Sequence, residues 1–232
     1  MKRTISLLLV FLLCLSVCAC GNNNNNAYEV SKKTYESIKS AHGILQQYNE
    51  DLYNAWKIGK YHKQDILDNG IEYIQSNLSL TRDELIIGIA YAVTTTVVEE
   101  DWDEVTEETK TEMLQMINET EHDIFEMFKN DLDLWNILIV MGAYVVNGEI
   151  KESETYLDMA KEQMKELSQN YSDYAHYSSL VDFYNQTKTF YDFCNTLRDN
   201  TTISVDEVID TIDDYRDNNQ IYINELDYIF EE

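Results

Sequence analysis

The chain has 232 residues, of which 43 are acidic and 17 are basic, so its formal net charge is −26. A protein with this negative charge repels the phosphate backbone of nucleic acids, which argues against nucleic acid as a partner. The sequence contains no proline, the residue that helices tolerate least, and this predicts a mostly helical chain.

The first segment is a basic start followed by a short apolar run over 5–15. The run is shorter than the ~20 apolar residues that a membrane-spanning helix needs. It leads into a short segment with three small or apolar residues around two cysteines, Val17-Cys18-Ala19-Cys20-Gly21. This pattern resembles the signal peptide of bacterial lipoproteins, in which a small residue precedes a cysteine that is lipidated and becomes the N-terminus.

The resemblance implies three segments and a location. Residues 1–19 are predicted to be a signal peptide, Cys20 is the predicted lipidation site, and Asn22–Asn26 form a polar tether. The protein would then be anchored through its N-terminal lipid to the cell membrane, on the extracytoplasmic face. Residues 27–232 remain for a single folded domain.

Charge is uneven along the predicted mature chain. Residues 20–63 carry six lysines and four acids, whereas residues 64–232 carry nine basic and thirty-nine acidic residues. An anionic lipid surface would therefore repel the body of the domain and tolerate its first helix. The acidity also has a simpler interpretation, which is solubility outside the cytoplasm.

Periodic apolar positions predict eight helices in one all-α bundle, joined by short polar turns. The predicted helices cover 28–60, 63–78, 81–100, 104–129, 132–147, 151–169, 172–199 and 204–230. The first carries one apolar stripe along its length, from Ile38 to Gly59, and the last carries another from Val205 to Ile229. Asn219 interrupts the second stripe, either as a buried polar residue or at the edge of the stripe.

Local signals mark two helix starts and two buried helices. Thr81 and Glu84 have capping-box spacing, and Ser204 and Glu207 repeat it. Two helices, Leu85–Val98 and Leu134–Val146, are apolar nearly all round, so we expect them at the centre of the bundle. Small residues on both would let neighbouring helices approach closely: Gly88, Ala90, Ala92, Gly142 and Ala143.

One helical pair has a weak family resemblance. Residues 137–160 are similar to a single tetratricopeptide-type hairpin, with Ala143 and Tyr144 before a turn at Gly148, and Tyr156 and Ala160 after it. No steady period of about 34 residues accompanies it. A short repeat array remains an alternative to the bundle.

Candidate metal ligands are sparse. Glu119 and His122 have the Glu-x-x-His spacing of carboxylate-bridged di-metal bundles, and Asp173 and His176 are the nearest companion pair. The two apolar helices lack the inward carboxylates that such a site needs. We therefore expect no cofactor and no stoichiometric transition metal in residues 27–232. Cys194 lies on an apolar stripe and is interpreted as a small packing residue.

Aromatic residues supply the candidate partner surfaces. Tyrosine is enriched, with seventeen in the chain. Tyr171 and Tyr174, at a predicted helix start, and Trp102, in an acidic turn, are the positions from which an aromatic ring could anchor a partner.

Two function classes follow. The first is a lipid-anchored, non-enzymatic binding or scaffold protein that docks a protein or envelope component, with a tetratricopeptide-like adaptor as a variant. The second is a metal-dependent protein or enzyme that uses the Glu119 and Asp173 pairs.

Overall fold

The computed structural model describes the backbone of residues 2–95, 102–199 and 204–231, and the side chains in these ranges except 2–24, 198–199 and 217–220. Within them the fold is all-α, as predicted, and no strand occurs. The helices are α1 (Lys2–Tyr61), α2 (Lys63–Asn69), α3 (Ile71–Gln75), α4 (Arg82–Val93), α5 (Glu107–Met127), α6 (Leu132–Val146), α7 (Glu149–Asn170), α8 (Tyr177–Asp199) and α9 (Val205–Phe230). No helix among the described residues is long and apolar enough to cross a membrane.

Helix α1 organises the bundle. It packs against α6, α7, α8 and α9, and most extensively against α7. The predicted stripe from Ile38 to Gly59 is fully buried, which confirms it. The backbone of α1 is helical through Asn22–Asn26, the predicted tether, while the side chains of the predicted lipidation motif around Cys20 lie outside those described.

The two apolar helices are buried, as predicted, and glycines bring them together. A Cβ added at Gly88 of α4 would lie 2.1 Å from the carbonyl oxygen of Ile139 on α6, and one at Gly142 would lie 2.7 Å from Cβ of Tyr91. Gly59 makes an equally close approach between α1 and the start of α6, at Leu132. These contacts allow α4 and α6 to pack almost backbone to backbone. Residues 96–98, at the end of the predicted helix, lie outside the described residues.

The helix starts depend on side-chain caps. Thr81 and Glu84 form the complete capping box: the Thr81 hydroxyl accepts from the Glu84 amide at 3.3 Å, and the Thr81 amide donates to Glu84 Oε2 at 2.7 Å. Ser204 accepts from the amide of Glu207 at 3.2 Å. The α9 stripe is buried at Val208, Ile212, Tyr215 and Leu226, and Asn219 belongs to the side chains that are not described.

The first predicted helix, over 28–60, begins earlier in the structure, at Lys2, and three further predicted helices also differ. The helix over 63–78 breaks at Gly70, whose φ of 58° is a left-handed value that an α-helix does not contain. The helix over 104–129 begins later, at Glu107, after a separate 3₁₀ turn at Trp102–Glu104. The helix over 172–199 begins at Tyr177, since the backbone after α7 forms successive turns in which Tyr174 and Tyr177 donate to carbonyls three residues back.

The tetratricopeptide-type hairpin over 137–160 stays a prediction. Gly148 makes the expected turn, with φ of 80°, but α7 then packs along α1 and touches α6 only weakly. The described helices form a bundle around α1.

Candidate functional site

The predicted di-metal ligands do not come together. Glu119 and His122 lie on α5, but Thr120 between them has non-helical angles of φ −129° and ψ 20°, so the regular one-face spacing is lost. Helix α5 packs on α4 and α2, whereas Asp173 and His176 precede α8, which packs on α1, α7 and α9. Among the described residues no three His, Cys, Asp or Glu side chains are grouped to hold a metal ion.

Trp102 is poorly placed to anchor a partner, contrary to its prediction. Its side chain is only 7% exposed. The ring lies 6.4 Å from that of Tyr91, and Lys110 Nζ lies 5.2 Å from its centroid. The 3₁₀ turn directs this indole into the core, where it packs beside α4. The acids at 99–101 next to it lie outside the described residues.

Tyr171 and Tyr174 are half-buried at one end of the bundle. The Tyr174 ring lies 5.5 Å from that of His176, which in turn lies 6.4 Å from Phe230 of α9. Burial raises the pKa of the Tyr174 hydroxyl, with a smaller contribution from Tyr28 of α1. Tyr174 thus lies near the first turns of the folded body, and the role of both tyrosines as a partner surface stays a prediction.

Cys194 is buried and unpaired, as expected of a packing residue. Burial raises the pKa of its thiol well above the ordinary value. A thiol that resists ionisation is a poor nucleophile.

The buried acid on α1 has a structural role. Asp51 accepts from the amide of Ser79 at 2.9 Å and from the hydroxyl of Tyr144 at 2.8 Å, and burial raises its pKa. These bonds join α1, the turn before α4, and α6. The Asp51 carboxylate therefore uses its acceptor oxygens to connect helices.

The strongest candidate site is a row of aromatic rings and cations on α1, which the sequence analysis missed. The rings of Tyr53 and Trp56 lie 5.6 Å apart, and those of Trp56 and Tyr61 lie 6.1 Å apart. Lys60 Nζ lies 4.6 Å from the Trp56 centroid, and Arg216 Cζ of α9 lies 4.9 Å from the Tyr53 centroid. We call these five residues the α1 strip.

The α1 strip is accessible at its outer end. Tyr61 is 63% exposed, Lys60 is exposed, and Tyr53 and Trp56 are half-buried. Lys60 pairs with no carboxylate of the described residues, whereas Arg216 forms an ion pair with Asp213 at 2.7 Å. The aromatic rings hold both cations in place, which lowers the entropy cost of using them for binding.

A cleft between α1 and α9 continues the strip, with a volume of about 260 Å³. It is lined by Asn49, Glu50, Tyr53, Asn54, Ile212 and Arg216. Sites for drug-sized molecules measure about 300–1,000 Å³. The α1–α9 cleft therefore suits a side chain or chain end of a larger partner better than a whole cofactor.

One polar atom of the cleft lining lacks a partner. Asn49 is buried, and its Nδ2 donates to the carbonyl of Ile212 at 3.1 Å. Its Oδ1 is buried without a hydrogen bond. An acceptor that is buried without a hydrogen bond costs free energy.

The sequence did hold a signal for the strip. Tyr53, Trp56, Lys57 and Lys60 follow three-four spacing beside the apolar stripe, within residues 20–63, where six lysines outnumber four acids. Arg216, far away in the sequence, could be added only from the packing of α9 on α1.

Comparison with known proteins assigns this chain to no family. No family model, curated protein or solved structure matches the chain.

Proposed function

We propose that this chain is a lipid-anchored, extracytoplasmic binding protein that docks a protein or envelope component at the α1 strip and the α1–α9 cleft. The observation that carries this proposal is the arrangement of two features along one helix. The predicted lipidation site, Cys20, precedes the folded body, and the strip lies at the far end of α1. An α-helix rises 1.5 Å per residue, so Tyr61 lies about 50 Å from Tyr28 along the axis.

That arrangement suits a displayed binding surface. Two or three acyl chains on Cys20 would hold the protein at the membrane, while the bundle carries the strip away from the lipid. Half-buried aromatic rings beside fixed cations are typical of residues that dominate binding energy. No arrangement of the described residues favours the metal-dependent alternative.

The anchor is tested by changing Cys20→Ala. We expect the variant to retain its signal peptide or to leave the membrane fraction, because the acyl chains are its only predicted attachment. Fractionation and intact mass of the purified protein measure both effects. An unchanged mass and unchanged membrane association would show that Cys20 is not the anchor.

The binding surface is tested by placing a photo-crosslinking phenylalanine analogue at Tyr61 in living cells. Tyr228 is a matched control, since it is also a tyrosine, is 71% exposed and lies on α9, near the other end of the bundle. We expect a discrete adduct from position 61 that is absent or much weaker from position 228. Equal adducts, or none from position 61, would contradict binding at the α1 strip.

A further inference from the structure

We infer that the end of the bundle nearest the predicted anchor lies on the headgroups of zwitterionic phospholipids and contacts them through its tyrosines. This inference rests on the lipid anchor of the proposed function, and it adds a second attachment to the membrane. The structure gathers rings from three parts of the chain at this end. We call them the aromatic end: Tyr28 of α1, Tyr174 and His176 before α8, and Tyr228 and Phe230 of α9.

Contacts among the rings make the aromatic end one surface. The ring of Tyr28 lies 5.8 Å from that of Phe230, and the ring of His176 lies 6.4 Å from the same phenylalanine. The ring of Tyr174 lies 5.5 Å from that of His176. Phe230 is buried, Tyr28 and Tyr174 are half-buried, and Tyr228, on the last turn of α9, is 71% exposed. The surface therefore has a buried centre and a rim of tyrosines that solvent reaches.

The chain places this surface close to the lipid. Helix α1 is continuous from the predicted lipidation site, Cys20, through Tyr28. The eight residues between these positions rise about 12 Å along the axis, and a lean of α1 towards α9 brings the tyrosines nearer to the headgroups. So short a tether gives the aromatic end a high effective concentration at the membrane, so individually weak contacts suffice.

Tyrosine side chains suit the boundary between lipid and water. The ring is apolar and the hydroxyl is polar, and tyrosine is enriched at membrane–water interfaces for that reason. The ammonium group of a zwitterionic headgroup can also lie over an aromatic face. Contact through three tyrosines would add a second attachment to the acyl chains.

Charge decides which lipid fits. Lys39 pairs with Asp227 and Glu231, which ties α9 to α1 at this end. Acids nevertheless outnumber lysines in the segments that carry the rings: Glu29, Glu36, Asp173, Glu225, Asp227 and Glu231 against Lys32, Lys33 and Lys39. An anionic leaflet would repel this excess of acids. The attraction therefore comes from the rings, and a zwitterionic surface accommodates them best.

A second copy of the chain fits the aromatic end less well. It would bring a net charge of −26 against the same charge, which opposes self-association. A soluble partner would have to compete with a membrane that the anchor holds about 12 Å away.

The test uses the full-length protein, purified from its native membrane in non-ionic detergent and reconstituted into phosphatidylcholine vesicles. Part of the lipid carries a nitroxide on its headgroup, which quenches tryptophans close to it. Tyr228→Trp places a reporter at the aromatic end, and Tyr61→Trp is the matched control, at a tyrosine that is 63% exposed at the far end of α1. The wild type corrects for the three native tryptophans. We expect the fluorescence added at position 228 to be quenched severalfold more than that added at position 61.

A third reporter separates contact through the tyrosines from tethering alone. Ala175 is exposed beside Tyr174, and Ala175→Trp reports on the same end without changing a tyrosine. In that background Tyr228→Ser should lower the quenching at position 175, whereas Tyr61→Ser should leave it unchanged. Both substitutions change exposed side chains, and circular dichroism checks that the bundle is intact. Replacing part of the lipid with phosphatidylglycerol should also lower the quenching.

Each outcome decides the inference. Quenching at position 228 no greater than at position 61, quenching at position 175 that Tyr228→Ser leaves unchanged, or quenching that rises with phosphatidylglycerol would overturn it. Such a failure in a protein whose mass shows the lipid, together with a discrete crosslink from Tyr61, would leave the proposed function intact. A mass without lipid would remove the anchor on which both rest.

Discussion

Replacing Gly88 with alanine is expected to destabilise the bundle by about 3 kcal/mol, near the upper end of the cost of overpacking a core. The added Cβ would lie 2.1 Å from the carbonyl oxygen of Ile139. Since that oxygen belongs to the backbone of α6, a rotamer change cannot relieve the clash, and the two central helices must move apart. Urea unfolding of the full-length protein, followed by circular dichroism, measures the loss. Failure of Gly88→Ala to fold would be the same result in its extreme form.

Gly43→Ala is the matched control for this prediction. Gly43 lies within α1 and is exposed, and a Cβ there would meet nothing within 4 Å. The same substitution should therefore stabilise the protein by about 0.5–1 kcal/mol, because alanine loses less backbone entropy in a helix than glycine does. Equal stability changes at Gly43 and Gly88 would show that close approach of α4 and α6 does not limit the fold.

The parts of the fold that could be predicted from the sequence depend on neighbours in the chain. The stripe from Ile38 to Gly59 follows from helical periodicity, and the capping box at Thr81 and Glu84 involves residues three apart. Glycines 88 and 142 were identified as points of close approach because each lies in a helix that is apolar nearly all round. In each case a single helix contains the whole signal.

The predictions that differ from the structure lie where a local sequence pattern allows more than one backbone conformation. Gly70 was read within a helix, yet its left-handed φ breaks the helix into α2 and α3. The Glu119 and His122 spacing would place both on one face only in an unbroken helix, and Thr120 interrupts it. Trp102 looked exposed among acids, but a 3₁₀ turn buries its ring. Backbone angles in a kink or turn depend on packing that periodicity does not describe.

The candidate site shows the same division. Tyr53, Trp56, Lys60 and Tyr61 all lie on α1, so the sequence contains four of the five residues of the α1 strip. Arg216 joins the strip, and the cleft forms, only because α9 packs against α1. The burial of Asn49 has the same origin, since its Nδ2 donates to the carbonyl of Ile212 on α9.

Packing of α9 on α1 also buries a histidine, which makes stability depend on pH. His42 Nδ1 lies 2.8 Å from the hydroxyl of Tyr215, and Nε2 lies 3.0 Å from Oε1 of Gln46. The Gln46 amide group donates to Glu50 at 3.2 Å, so its oxygen faces the ring and His42 donates through Nε2. The Tyr215 hydroxyl then donates to Nδ1, which fixes a neutral imidazole.

Acidification from pH 7 to pH 4 should therefore cost about 3 kcal/mol through His42 alone, at about 1.4 kcal/mol per pKa unit. Burial lowers the pKa of His42 from 6.5 to about 4, because a charged ring loses its hydration there. The unfolded chain takes up this proton near pH 6.5 and the folded chain only near pH 4. The contribution is thus intact above pH 6.5 and is lost as the pH falls towards 4.

His42→Gln isolates this effect from the carboxylates that titrate in the same range. Glutamine keeps a polar side chain of similar reach but cannot take up a proton. The variant should be less stable than the wild type at pH 7, and the difference between the two should shrink by about 3 kcal/mol at pH 4. Urea unfolding at half-unit steps of pH measures both curves. Parallel curves would mean that His42 is protonated as easily in the folded chain as in the unfolded one, and that α9 does not exclude water from α1 at this position.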